Sequence, residues 1–141
     1  MNKTLLTIAA LLVASGLILS ACASAGAAGS LAGSSWKLLS YGPSQNPTAA
    51  ATDTPTNVDF GRDGTVSGNV GCNSFSGKFQ VQNGAITFSQ MISTMMGCQE
   101  PQMTQETIAL KVMSGTARFE LQGSTLVIYA ADGVNAITLS K

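Results

Sequence analysis

The sequence predicts an α+β domain in which a strongly curved antiparallel sheet bends around one α-helix. Three observations lead there. Most of the chain beyond residue 31 alternates apolar and polar residues with period two, the mark of half-buried strands. Short turn sequences join many of these runs, and links that short force antiparallel neighbours. One segment breaks the alternation with helical spacing, and its apolar residues fall on two sides, which a helix on a flat sheet would not need.

The first segment lies ahead of the domain. Lys3, an apolar run from Leu5 to Leu19 and then Leu19-Ser20-Ala21-Cys22 resemble the lipobox of bacterial lipoproteins, with cleavage before Cys22. Residues 1–21 are thus expected to be a signal peptide, and Cys22 the site of lipid attachment. Such an anchor carries a diacylglycerol and usually a further acyl chain such as palmitate, and two or more chains hold stably where one does not. A simple transmembrane helix is the weaker alternative, because the run is shorter than the roughly 20 residues needed to span a bilayer. From residue 23 to 30 only Ala, Gly and Ser occur. Residues 22–30 therefore read as a flexible tether with a root-mean-square span of roughly 16 Å, and 31–141 as the folded domain.

Within that domain the expected strands are Ser35 to Tyr41, Asn57 to Phe60, Thr65 to Val70, Gly77 to Gln82, Ala85 to Ser89, Ala117 to Gln122, Thr125 to Ala130 and Asn135 to Leu139. Asn83-Gly84 is the sharpest hairpin signal, since a type I′ turn demands positive φ at both central residues. Gly42 to Thr56, with Pro43, Pro47 and Pro55, is long for an internal loop and reads as a tolerated insertion. The helix is expected from Pro101, whose missing N–H costs nothing in the first turn, to Ser114-Gly115, where Gly takes the left-handed cap. Met103, Thr107, Leu110 and Met113 share one side of it, with Ile108 and Val112 nearly opposite.

Charge and composition exclude several functions. Seven basic and seven acidic side chains balance, and loss of Lys3 with the signal leaves minus one. No basic face exists to hold phosphates, so nucleic acid is not an expected partner. Histidine is absent, which removes the commonest general base. Outside the cytoplasm Cys72 and Cys98 are most simply a disulfide, free thiols or a metal site being the alternatives. Zinc or copper would need further ligands. Met91, Met95, Met96, Met103 and Met113 suit Cu(I) chemically, but core or pocket lining is the better reading. No metal and no cofactor are expected.

Three motifs line up with a known family. Leu31-Ala32-Gly33-Ser34-Ser35-Trp36, Gly71-Cys72-Asn73-Ser74-Phe75-Ser76-Gly77 and Thr94-Met95-Met96-Gly97-Cys98 resemble, in order, the motifs of the META domain family of HslJ-like heat-shock lipoproteins. Met95 stands where the family often has Arg, and Gly97 where it often has Ala. The resemblance implies a cracked-barrel-like curved sheet around one helix, and a supporting role in stress or antibiotic tolerance without catalysis. Read physically, Trp36 is a core anchor. Gly71 and Gly77 bracket a tight turn, and Asn73 tolerates left-handed geometry there. The carboxylates Asp59, Asp63, Glu100 and Glu106 read as solvated structure.

The function expected is therefore a non-enzymatic, monomeric envelope lipoprotein that binds an apolar ligand or a partner protein. A cavity for it would be lined by Phe79, Phe88, Met91, Leu110, Met113, Phe119 and Ile128, with an ordinary packed core as the competing reading. The runner-up is a small inhibitor of a wall-degrading enzyme or hydrolase, which needs a projecting loop with an anchor residue. Ala23 after the lipidated cysteine directs the protein to the outer membrane facing the periplasm in a two-membrane cell, and otherwise to the outer face of the cell membrane.

Overall fold

Alternation becomes strand at each expected place in the computed structural model, which describes residues 31–141. The expected signal peptide, Cys22 and the tether lie outside the described residues. The strands are β1 (Ser34–Pro43), β2 (Thr48–Ala49), β3 (Asn57–Phe60), β4 (Thr65–Asn69), β5 (Ser74–Gln82), β6 (Ala85–Ser93), β7 (Gly115–Gln122), β8 (Thr125–Tyr129) and β9 (Asn135–Ser140). Among the described residues one helix of eleven residues, α1 (Gln102–Val112), separates β6 from β7.

Each strand runs antiparallel to the next, and the sheet closes. β1 pairs with β3 through Ser34↔Phe60 and Trp36↔Val58, and with β9 through Leu38↔Leu139 and on to Pro43↔Asn135. The closed ring therefore runs β1-β3-β4-β5-β6-β7-β8-β9 and back to β1, with β2 a short flap on β1. Closure follows from the length of β1, whose ten residues are long enough to serve partners on both sides. Inward residues at every second position, among them Trp36, Val58, Phe60, Ile86, Ile128 and Leu139, are at most 1% exposed and fill the interior. Burying side chains of this size stabilises the fold by about 1.5–3 kcal/mol each.

The two ends of the barrel differ. At one end lie the hairpin turns after β3, β5 and β7, together with Leu31 and Lys141. Asn83 and Gly84 both have positive φ, 51° and 74°, as the turn signal requires. At the other end lie the β4–β5 loop, the segment leaving β6, the β8–β9 turn and α1, which seals that mouth. Gln105 donates to the carbonyl of Val70 (2.7 Å) and accepts from the N–H of Ala51 (2.8 Å), while Lys111 faces Asp132 of the β8–β9 turn at 4.0 Å.

Two expectations are corrected here. The helix buries one face, not two: Gln105, Glu106, Ala109 and Val112 turn inward, followed by Met113 just past its end, while Met103, Ile108 and Leu110 are half-buried and Thr107 is exposed. The sheet meets the helix at a mouth, so a single face suffices. The stretch from Gly42 to Thr56 is also more than a tolerated insertion. It forms β2, ties the Ala50 N–H to the Leu39 carbonyl (2.8 Å), and reaches α1 through Ala51 and through Asp53, which accepts from Gln102 (2.7 Å). Its small residues let it lie flat against β1 and the helix.

Candidate functional site

The helix-sealed mouth gathers the second and third sequence motifs into one cluster. Its centre is Glu106, 7% exposed. The carboxylate accepts from the main-chain N–H of Cys72 (2.8 Å), the main-chain N–H of Asn73, and the side-chain amide of Asn73 (2.8 Å). A buried carboxylate is tolerated because these donors replace its water. Reading Glu106 as a solvated helix charge was thus mistaken. The available signal was its place two turns ahead of Met113 on the inward side, next to Gln105.

Asn73 is the hub between the helix and the segment after β6. Its Oδ1 accepts from the Thr94 hydroxyl (2.8 Å) and the Met96 N–H (2.7 Å), and its Nδ2 also donates to the Met96 carbonyl (3.2 Å). At 3% exposure it leaves no side-chain polar atom without a partner. Its φ is not left-handed, so its role is hydrogen bonding and not the turn conformation expected from sequence. A disulfide joins Cys72 to Cys98, with Cα atoms 6.0 Å apart, and ties the same two segments again.

Gly71 and Gly77 serve by letting neighbours come close, not by turning the chain. A Cβ on Gly71 would stand 2.5 Å from the Gln102 carbonyl oxygen and 2.8 Å from Glu106 Cβ. Only glycine lets α1 settle onto the β4–β5 loop. Gly77 lies inside β5, where a Cβ would stand 2.3 Å from the sulfur of Met91 across a bulge in β6. At that bulge Gln90 adopts φ 53°, a conformation costly for a residue with a Cβ.

Beyond the bulge the chain projects. Ile92 is 69% exposed, Met95 96% and Met96 58%, on a stretch in which every residue from Ile92 to Glu100 is exposed. Asn73 and the disulfide therefore hold an apolar tip rigidly in solvent. Singly exposed apolar residues are ordinary, but three large ones open within five residues of chain are the raw material of an interaction patch.

The other expected site residues divide. Phe88, Met113, Phe119 and Ile128 belong to the packed core, Phe79 stands edge-on to Phe60 at 4.9 Å, and Met91 and Leu110 line a small surface cavity of about 150 Å³ with Ile92 and Ser93. Trp36 is 1% exposed and donates its indole N–H to the Ser34 hydroxyl (2.7 Å). A larger open cleft of about 440 Å³ lies between β1 and the 49–56 stretch, with Lys37, Leu39, Ala50 and Thr54 among its walls. Asp63 caps its own turn, accepting from the hydroxyl (2.6 Å) and N–H (3.1 Å) of Thr65, which together hold its carboxyl below the ordinary carboxylate value. Among the described residues no group of three or more Cys, Asp or Glu side chains could hold a metal ion.

These features define a class: a closed antiparallel barrel with one helix across its mouth, and a Gly-Cys-Asn turn stapled to a projecting loop. The chain belongs to the META domain family, whose model matches residues 29–141. Its fold is similar to that of a protein from Burkholderia xenovorans solved by NMR, with a TM-score of 0.68 at 18% identity over 89% of this chain and 93% of that one. A second NMR structure aligns with a TM-score of 0.63 at 23% identity, covering 79% and 92%. A crystal structure of a DUF4847 family protein from Bacteroides vulgatus aligns with a TM-score of 0.54 at 12% identity, covering 78% and 93%. Among curated proteins none matches the chain.

Proposed function

We propose that this META domain is a non-enzymatic binding module of the cell envelope, held by lipid on Cys22, that engages a partner protein through the tip around Met95. One observation carries the reading: the 96%-exposed Met95 sits on a doubly tethered loop at the mouth opposite Leu31, the end to which the tether connects. Anchored in that way, the barrel holds its apolar tip away from its own membrane. The absence of catalysis is supported by the missing histidine and by a buried carboxylate whose oxygens already hold three donors. A role in stress or antibiotic tolerance agrees with the family resemblance.

The test is a photo-crosslinking amino acid at position 95 of the full chain in intact envelopes, beside one at exposed Thr107. A discrete adduct from position 95, absent from position 107 and lost when Ile92 and Met96 are both changed to Asp, supports the reading. Equal labelling from both positions refutes it. Mass spectrometry of the amino terminus checks the anchor, which requires acylated Cys22.

A further inference from the structure

We propose that Ser93 to Gly97 is a substrate-like loop that enters the cleft of a serine endopeptidase with an apolar primary pocket, Met95 filling that pocket. The inference rests on the reading of the tip as a binding surface and names the partner's chemistry. Four observations carry it. Met95 is the most open of the tip's large apolar residues, 96% exposed against 69% for Ile92 and 58% for Met96. The chain on both sides of Met95 is fixed to one buried amide, since the Thr94 hydroxyl and the Met96 N–H both meet Oδ1 of Asn73. The segment from Thr94 to Gln99 forms neither helix nor strand, and while Ser74 and Asn73 hold the main chain of Thr94 and Met96, the N–H and carbonyl of Met95 between them face no protein partner and are open to an enzyme's substrate-binding strand. No charged residue occurs between Lys78 and Glu100, which suits an apolar pocket and not an acidic one.

Rigidity separates an inhibitor from a substrate. A loop fixed in its bound shape avoids the ordering cost that a flexible peptide incurs on binding. It also resists turnover. When the enzyme's serine oxygen adds to the Met95 carbonyl, the Met95–Met96 C–N bond breaks, the Met96 nitrogen takes up a proton, and an ester to the enzyme remains. Asn73 and the Cys72–Cys98 bridge hold the new amino group beside that ester. Attack by this amine reforms the peptide bond and releases the serine. Slow escape through water leaves a carboxylate on Met95, an amine on Met96 and a molecule heavier by one water, still joined through the rest of the barrel.

The experiment titrates the full chain, purified in detergent, against chymotrypsin and subtilisin, with trypsin as the acidic-pocket comparison. One-to-one inhibition of chymotrypsin or subtilisin is expected. Met95→Asp weakens it by at least about 30-fold, the size of a hot-spot loss. Met95→Lys transfers inhibition to trypsin, whose pocket carries a carboxylate. Because residue 95 is in solvent, both variants fold. Inhibition of neither enzyme, or inhibition unchanged in Met95→Asp, overturns the proposal. A position-95 adduct in envelopes together with no inhibition overturns it while leaving the broader binding function standing.

Discussion

Glu106 grips Asn73 twice, taking its main-chain N–H on one carboxylate oxygen and its side-chain amide on the other. With the Cys72 N–H on the same carboxylate, the helix is bolted to the β4–β5 loop by charge-assisted hydrogen bonds. Glu106→Ala strands these donors in a buried site. The expected loss is about 3 kcal/mol, read as a lower urea midpoint at unchanged slope. Full stability in this variant would show that water replaces the carboxylate at no cost.

Gly71 and Gly97 lie in the two motifs that meet at the mouth, yet they should respond oppositely to the same change. Gly71→Ala drives a methyl against the main chain of α1, within 2.5 Å of the Gln102 oxygen, and should cost about 1–3 kcal/mol as overpacking does. Gly97→Ala meets nothing within 4 Å and should leave the thermal midpoint within about 2 °C, as expected of a surface substitution.

Removing the disulfide tests how far the loop depends on it. Cys72→Ser with Cys98→Ser opens a loop of sequence separation 26, which on chain entropy is worth at most about 3.5 kcal/mol. Because Asn73 still holds Thr94 and Met96, slow amide exchange at Met96 is expected to persist in conditions where the barrel stays folded. Fast exchange there would assign the loop's rigidity to the disulfide alone.

Gln90, at φ 53° inside β6, is strained. Gln90→Gly should stabilise the barrel by up to about 1 kcal/mol, the relief of a left-handed conformation less the chain entropy glycine brings. Calorimetry of the two proteins reads it directly.

Much of the barrel was legible because period-two alternation and hairpin turns are local signals. Asn83-Gly84 fixed its hairpin, whereas the helix stops at Val112 with Met113 as its cap, so Gly115, with φ 68°, opens β7 and is not the helix cap expected. The projecting tip was not legible, because its exposure depends on a bulge at Gln90 that no residue type announces. Glu106 escaped for a related reason: two of its three donors are main-chain N–H groups, and all three lie more than thirty residues away, so no local reading of side-chain chemistry brings them together. The stretch of Gly42 to Thr56 was underestimated because alanines that lie against a strand look, in sequence, like alanines that do nothing.

Because β1 meets β9, the ladder of hydrogen bonds runs around the barrel, and its chief open edges are the two residues of β2 that follow Pro47 and the end of β6 beyond Phe88, which pairs with β5 alone. Copies of the domain at high concentration can therefore touch sides with little opening for cross-chain strand exchange or fibre growth.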